Sequence, residues 1–137
     1  MTIATQEGRR MIERLQAEPF AQVFARYNDD PADDPGGAGT GPGADFDVSG
    51  FTAWTNDADG LAGEIVLPTT ALAPGVLRED VVDTSLGMPR DLNGDGVVDA
   101  NDHSSDYRLL PVLVRIRWQN ASGRNSVEFK TMLGEFL

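Results

Sequence analysis

The chain has 137 residues, a length that suits a single domain with one hydrophobic core. It carries 22 acidic and 11 basic residues, which gives a formal net charge of -11 at pH 7. Binding to phosphate backbones or anionic lipid heads requires cationic side chains, so this balance argues against nucleic-acid and membrane-surface partners. The lack of cysteine excludes disulfides and thiolate chemistry, and a single histidine excludes sites that need two imidazoles.

The N-terminal part has a helical pattern. Between Thr5 and Tyr27 the large apolar residues recur at helical spacing, as Met11, Ile12, Leu15, Phe20, Val23 and Phe24. We therefore assign residues 1–27 to a helix that lays one apolar side against a sheet. Pro19 removes a backbone donor and clashes with the preceding turn, so we expect a kink or a break near Glu18.

Residues 28–45 are dominated by Pro, Gly and Asp and contain no apolar residue larger than alanine. Such a segment buries too little surface to offset its ordering entropy, so we predict a mobile, acidic surface loop. An interdomain linker is the alternative, but the 27 residues before it are too few for a domain. We assign the remainder, residues 46–137, to a β region of the same single domain.

The first part of the β region contains three short candidate strands, at residues 46–48, 51–55 and 63–68. Residues 56–60 between them have turn chemistry. Two aspartates in this turn suggest a second cation site, but the pattern favours an Asx-type turn. Helix followed by strands is typical of an α+β fold with an antiparallel sheet.

The clearest β signal lies near the C-terminus, where apolar residues alternate with polar ones over residues 112–119 and again over 126–133. A polar turn separates the two runs, so they predict a hairpin with one buried face. On its outer face we expect Arg115 and Arg117 to pair with Glu128.

Residues 91–102, DLNGDGVVDAND, fit a twelve-residue calcium loop. Calcium takes six to eight oxygen ligands, and oxygen-bearing residues occupy the first, third, fifth, ninth and twelfth positions. Gly96 stands where such a loop turns sharply, and we expect Val98 to pack inward. The predicted ligands are the side chains of Asp91, Asn93, Asp95, Asp99 and Asp102 and the backbone carbonyl of Val97.

The loop ends in aspartate instead of the glutamate of a signalling EF-hand, and in this it resembles the loops of dockerin repeats. Gly and Pro precede it and Pro111 follows closely, so strong flanking helices are not expected. We predict a structural calcium site that neutralises the carboxylates of an irregular connection; a calcium-free Asp/Gly turn is the alternative. Substitution of Asp95 or Asp102 by alanine is predicted to abolish calcium binding and to loosen residues 90–110.

Three residues invite other functions. His103 follows the loop, but without a nucleophile pattern we interpret it as a surface or capping residue. Trp54 and Trp118 suggest a sugar platform, yet their alternating strand positions favour the core. The chain is therefore predicted not to be an enzyme.

The helix, the Gly/Pro-rich loop, the small sheet and a hairpin whose second strand reads SVEFKTML together resemble the soluble part of type IV pilin-like proteins. The hairpin in particular resembles the ends of minor pilins and of the minor pseudopilins of type II secretion. The resemblance implies a pilin-like α+β fold with calcium in a loop between strands, and partners that are other pilin or pseudopilin subunits. It also implies a cell-envelope location, on the periplasmic or extracellular face. Anchoring in the membrane before filament assembly would use an apolar N-terminal helix, which this chain does not contain.

Two functions follow from these observations. The first is a structural subunit of a type IV pilus or a type II secretion filament, stabilised by one calcium ion. The alternative is a secreted, calcium-dependent module that binds a protein or a carbohydrate. This alternative predicts a partner that is lost when calcium is chelated.

Overall fold

Two consecutive helices form the N-terminal part of the structure, a computed structural model that describes residues 3–48, 50–54 and 60–134. Helix α1 spans Ile3–Ala17 and helix α2 spans Phe20–Tyr27. The break falls at residues 18 and 19, which confirms the predicted interruption by Pro19. Neither helix of the described residues is long and apolar enough to cross a membrane.

A four-stranded antiparallel sheet completes the fold, in the order β1-β2-β3-β4. Its strands are β1 (Asp45–Phe46), β2 (Gly63–Val66), β3 (Leu109–Asn120) and β4 (Gly123–Gly134). Strands β3 and β4 pair without a bulge from Leu109 opposite Gly134 to Asn120 opposite Gly123. The α+β class and the C-terminal hairpin are thereby confirmed.

The prediction of a strand at residues 51–55 is wrong for residues 51–54, which the structure describes. These residues make only the isolated bridge of Thr52 to Gln119. Aromatic side chains hold this segment instead. The Nε1 of Trp54 donates to the carbonyl of Trp118 at 3.0 Å, and the ring of Phe51 stacks on that of Trp118 with centroids 4.8 Å apart. The turn predicted over residues 56–60 lies outside the described residues except for its last position.

The helices cover one face of the sheet. Val112, Val114 and Ile116 of β3 are fully buried, and the buried residues of α1 include Met11 and Leu15. The face that the sequence predicted is therefore buried. The first half of β3 is buried on its other face as well, at Pro111 and Leu113, so the prediction of a single buried face is confirmed only in part. Gly8 of α1 lies so close to β4 that a Cβ at this position would collide with the ring of Phe129.

The predicted loop at residues 28–45 contains local structure. A single 3-10 turn spans Pro31–Asp33, and the side chain of Asp30 accepts a hydrogen bond from the N–H of Ala32 at 3.0 Å. The N–H of Gly43 donates to the carbonyl of Arg26 at 2.9 Å, so the segment folds back on the end of α2. Its mobility stays a prediction.

A long connection of residues 67–108 joins β2 to β3 and carries the predicted calcium loop. It forms turns and isolated bridges, with no helix or strand among its described residues. Leu77, Leu86 and Leu92 of the connection are fully buried and belong to the same apolar cluster as the helices and the sheet. The connection is therefore part of the core although its backbone is irregular.

Candidate metal centre

The predicted loop begins with a carboxylate that closes two turns. Asp91 accepts hydrogen bonds from the N–H of Gly94 at 2.9 Å and from the N–H of Gly96 at 2.8 Å. Both glycines have φ near +80°, a conformation that residues with a Cβ rarely adopt. The bond from Gly96, above all, lowers the pKa of Asp91 and keeps its carboxylate ionised.

The middle of the loop continues this pattern. Asp95 accepts from the N–H of Val97 at 2.9 Å. The side-chain amide of Asn93 lies 3.4 Å from a carboxylate oxygen of Asp95 and 3.2 Å from one of Asp106. The side chains at the third and fifth positions of the predicted loop are therefore neighbours in space.

A residue outside the loop, Glu79, completes this arrangement. Its side chain is fully buried and accepts from the N–H of Leu92 at 2.6 Å and from the N–H of Asn93 at 3.4 Å through one oxygen. The other oxygen accepts from the N–H of Asp99 at 3.2 Å. Sequence analysis missed Glu79 because it precedes the loop in an irregular segment, where no periodicity marks it. Its immediate neighbours, Arg78 and Asp80, are charged, so the local sequence gives no signal that Glu79 is buried.

Glu79 belongs to two overlapping groups of side chains. Oxygen atoms of Glu79, Asp91 and Asp95 all lie within 4.8 Å of one another. Ligand atoms of Glu79, Asp99 and His103 form a second group by the same criterion. The structure thus brings together the first, fifth and ninth positions of the predicted loop around one buried carboxylate.

His103 is buried, with 4% of its surface exposed, so its interpretation as a surface residue is wrong. Its Nε2 lies 2.7 Å from Asp99 and 3.2 Å from Glu79, and its Nδ1 lies 2.9 Å from Asp106. Burial by itself lowers the pKa of His103. The hydrogen bonds to Asp99 and Asp106 and the charge of Glu79 outweigh burial and raise it to about 9. At neutral pH the ring is therefore an imidazolium that neutralises part of the surrounding negative charge.

Two other loop residues occupy different surroundings. Asp102 accepts from the N–H of Leu77 at 3.2 Å and from that of Ser104 at 2.9 Å, and it is in neither group of metal-capable side chains. Its role as the twelfth-position ligand stays a prediction. Val98 is 46% exposed, so the expected inward packing is wrong. Turns flank the loop on both sides, and no helix among the described residues offers Val98 an apolar surface.

The donor set at this candidate centre suits a hard cation. Glu79, Asp91 and Asp95 supply carboxylate oxygens, which calcium prefers over nitrogen or sulfur ligands. The second group includes a nitrogen of His103, which a hard cation prefers less than carboxylate oxygen. The first group is therefore the better candidate for the metal.

Comparisons with known proteins identify no relative of the chain. No family model matches it, and searches of curated proteins and of solved structures found no similar chain.

Proposed function

We propose that this chain is a non-catalytic structural subunit of a cell-envelope filament, of the minor pilin or minor pseudopilin kind, stabilised by one calcium ion. The observation that carries the proposal is the oxygen-only group of Glu79, Asp91 and Asp95, placed in the irregular connection just before the C-terminal hairpin. A helix packed on a small antiparallel sheet is the framework that such a subunit requires.

The calcium part rests on electrostatics. The connection of residues 67–108 has no regular ladder, and its acidic side chains repel one another. Glu79 is fully buried and lies within 4.8 Å of two further carboxylates. A divalent cation would offset this repulsion and fasten the loop to the core, and its binding free energy would add to the stability of the fold.

We place the ion among Glu79, Asp91, Asn93 and Asp95, with the carbonyl of Val97 as a further oxygen. Asp99 and Asp102 stay predicted ligands from the loop pattern. Asp99 lies in the neighbouring group with His103.

The filament part rests on α1. This helix packs on β3 and β4 through Met11 and Leu15, and it turns Arg10, with 73% of its side chain exposed, to solvent. In a pilin-like subunit the same helix would extend upstream as an apolar segment and contact sibling subunits. The proposal therefore requires an apolar segment before α1 in the native protein.

Calcium binding is tested by calorimetric titration and by thermal unfolding with calcium or with a chelator. We expect calcium to bind and to raise the melting temperature. Asp95→Asn should lose this response, and Asp102→Asn tests the twelfth-position ligand. Asp47→Asn is the matched control, because Asp47 is exposed beside α1 and the charge change is identical. A wild type without any response, or a control that loses as much as Asp95→Asn, would overturn the calcium site.

The filament part needs a separate measurement, N-terminal sequencing and intact mass of the native protein from its own cell envelope. A mature form with an apolar segment before α1 supports the subunit. A native form without such a segment overturns the anchored subunit. The alternative of a secreted calcium-dependent binding module would then be tested by partner loss on chelation.

A further inference from the structure

Strand β4 lies at the edge of the sheet, since the strand order ends with it. It is 12 residues long and pairs with β3 along its whole length without a bulge. Long, regular edge strands are templates for pairing with another strand. Pairing at this edge depends on which backbone groups the strand directs outward.

The hydrogen bonds that β3 makes on its other side show which backbone groups the β4 edge presents. The N–H of Arg117 donates to the carbonyl of Ala62 at 2.9 Å, and the N–H of Gln119 donates to that of Thr52 at 2.8 Å. Odd-numbered residues of β3 therefore direct their backbone groups away from β4. Since the hairpin pairs odd with even numbers, the even-numbered residues of β4 direct their N–H and C=O groups outward. Those at the centre of the edge are Ser126, Glu128, Lys130 and Met132, for which the structure records no backbone partner within the described residues.

A groove of about 500 Å³ runs between this edge and α1. Ile12 and Phe129 supply its apolar lining, and Arg9 and Glu13 border it on α1. The side chains of Glu128 and Lys130 lie on the other face of the sheet, where Glu128 pairs with Arg115 at 2.7 Å. One acidic and one basic residue thus alternate on the same face of the edge strand, an arrangement that is electrostatically suited to a copy of itself.

We propose that β4 pairs with β4 of a second copy of this chain, antiparallel and about a two-fold axis at Phe129. Two four-stranded sheets would join into one continuous sheet. In this register Glu128 stands opposite the partner's Lys130, and Lys130 opposite the partner's Glu128. The two Phe129 residues then stand opposite each other at the axis, on the face of the sheet that carries α1.

Charge selects this register over its neighbours. Moving the two-fold axis by one residue, to Glu128 or to Lys130, places that residue opposite its own copy. Like charges directly opposite each other destabilise strand pairs. A register that pairs odd with even residues sets the apolar face of one strand beside the charged face of the other. The axis at Phe129 avoids both costs.

Sedimentation velocity over a range of concentrations tests the proposal with the full chain. We expect the wild type to dimerise. Lys130→Glu and Glu128→Lys each create two like-charge pairs, and each should weaken dimerisation about tenfold. An equimolar mixture of the two variants should dimerise again, because every charge then faces its opposite. Arg90→Glu is the matched control for Lys130→Glu, because it makes the same charge change at an exposed residue of the connection.

Cross-linking checks the register directly, because the chain has no cysteine of its own. The axis places Val127 opposite the partner's Thr131 at a closely spaced, non-hydrogen-bonded pair, a geometry that suits a disulfide. A mixture of Val127→Cys and Thr131→Cys should cross-link as a heterodimer, and neither variant should do so alone. Thermal unfolding of each variant verifies that it is folded.

A wild type that stays monomeric at every concentration would overturn the proposal. So would a dimer that both charge variants leave unchanged, or one in which each single-cysteine variant cross-links with itself. The inference does not depend on calcium or on a filament, since no residue of β4 belongs to the candidate metal groups of the described residues.

Discussion

The β3–β4 hairpin and the connection of residues 67–108 contribute to the same core by different means. The hairpin pairs 12 residues with 12 in one ladder. The alternation of its side chains buries the face toward the helices, and the first half of β3 is buried on both faces. The connection is held by side chains, above all by Glu79, which accepts hydrogen bonds from three backbone N–H groups. A periodic pattern therefore specifies the hairpin, whereas a few individual polar contacts specify the connection.

The largest expected effect comes from the hairpin. Ile116→Ala removes a fully buried side chain next to α1 and leaves a cavity, so we expect a loss of about 3 kcal/mol in the free energy of unfolding. Urea unfolding followed by tryptophan fluorescence measures it. Ser126→Ala is the control on the exposed face of β4, with an expected change of at most about 0.5 kcal/mol. Equal losses in the two variants would contradict the burial of the helix-facing side at Ile116 and the exposure of the other face at Ser126.

The second effect distinguishes the connection from the hairpin. Glu79→Gln replaces one acceptor oxygen by an amide that donates, which leaves a buried N–H without an acceptor. We expect the free energy of unfolding to fall by about 2 kcal/mol. Hydrogen exchange should accelerate over residues 77–108, while β3 and β4 keep their protection.

Glu64→Gln is the matched control for this substitution. Glu64 lies on the outer face of the sheet with 34% of its side chain exposed, paired with Arg117 at 3.1 Å. Exposed ion pairs contribute little to stability, so we expect the free energy of unfolding to fall by about 0.5 kcal/mol. If Glu79→Gln accelerated exchange equally in the hairpin and the connection, the two regions would not be held independently.

The same contrast explains what the sequence could predict. The hairpin, its buried face and the break at Pro19 were all predicted, because alternation and proline act locally. The pair of Arg115 with Glu128 follows from register and is confirmed at 2.7 Å. Arg117 pairs with Glu64 instead, since β2 lies on the other side of β3.

The predictions that failed depend on contacts distant in sequence. Nothing in the residues around Glu79 or His103 shows that each will be buried against the other, because chain folding alone brings their segments together. Residues 51–54 have strand composition, but the side chain of Trp54 finds its hydrogen-bond partners on the hairpin, and a ladder does not form. The spacing of the calcium loop predicted Asp91, Asn93 and Asp95 as neighbours, because their positions lie within a few residues of one another.

A smaller effect is expected where the connection meets α2. The hydroxyl of Tyr107 donates to the carbonyl of Phe20 at 2.5 Å and accepts from the N–H of Phe24 at 3.3 Å. Tyr107→Phe should therefore cost about 1 kcal/mol of unfolding free energy.

The control is Tyr27→Phe, because the hydroxyl of Tyr27 is buried and has no hydrogen-bond partner among the described residues. Its removal leaves no donor or acceptor unpaired, so we expect a neutral or slightly stabilising change. Chemical denaturation of the two variants side by side measures the difference. A larger loss for Tyr27→Phe would mean that ring packing, and not the hydroxyl bonds, joins the connection to α2.

The last and smallest effect is a dependence on alkaline pH. Burial, opposed in part by the N–H of Phe24, raises the pKa of Tyr107 above its ordinary value of 10.0. The folded state then holds the phenolic proton more tightly than the unfolded chain does. This contribution to stability is fully present below pH 10 and is lost as the pH rises through the folded-state pKa. Tyr107→Phe has no such proton, so the free-energy gap between wild type and variant should narrow above pH 10. A gap that stays constant through that range would show that the hydroxyl titrates alike in both states. The contact between the connection and α2 would then be open to water, unlike the closed face of the hairpin.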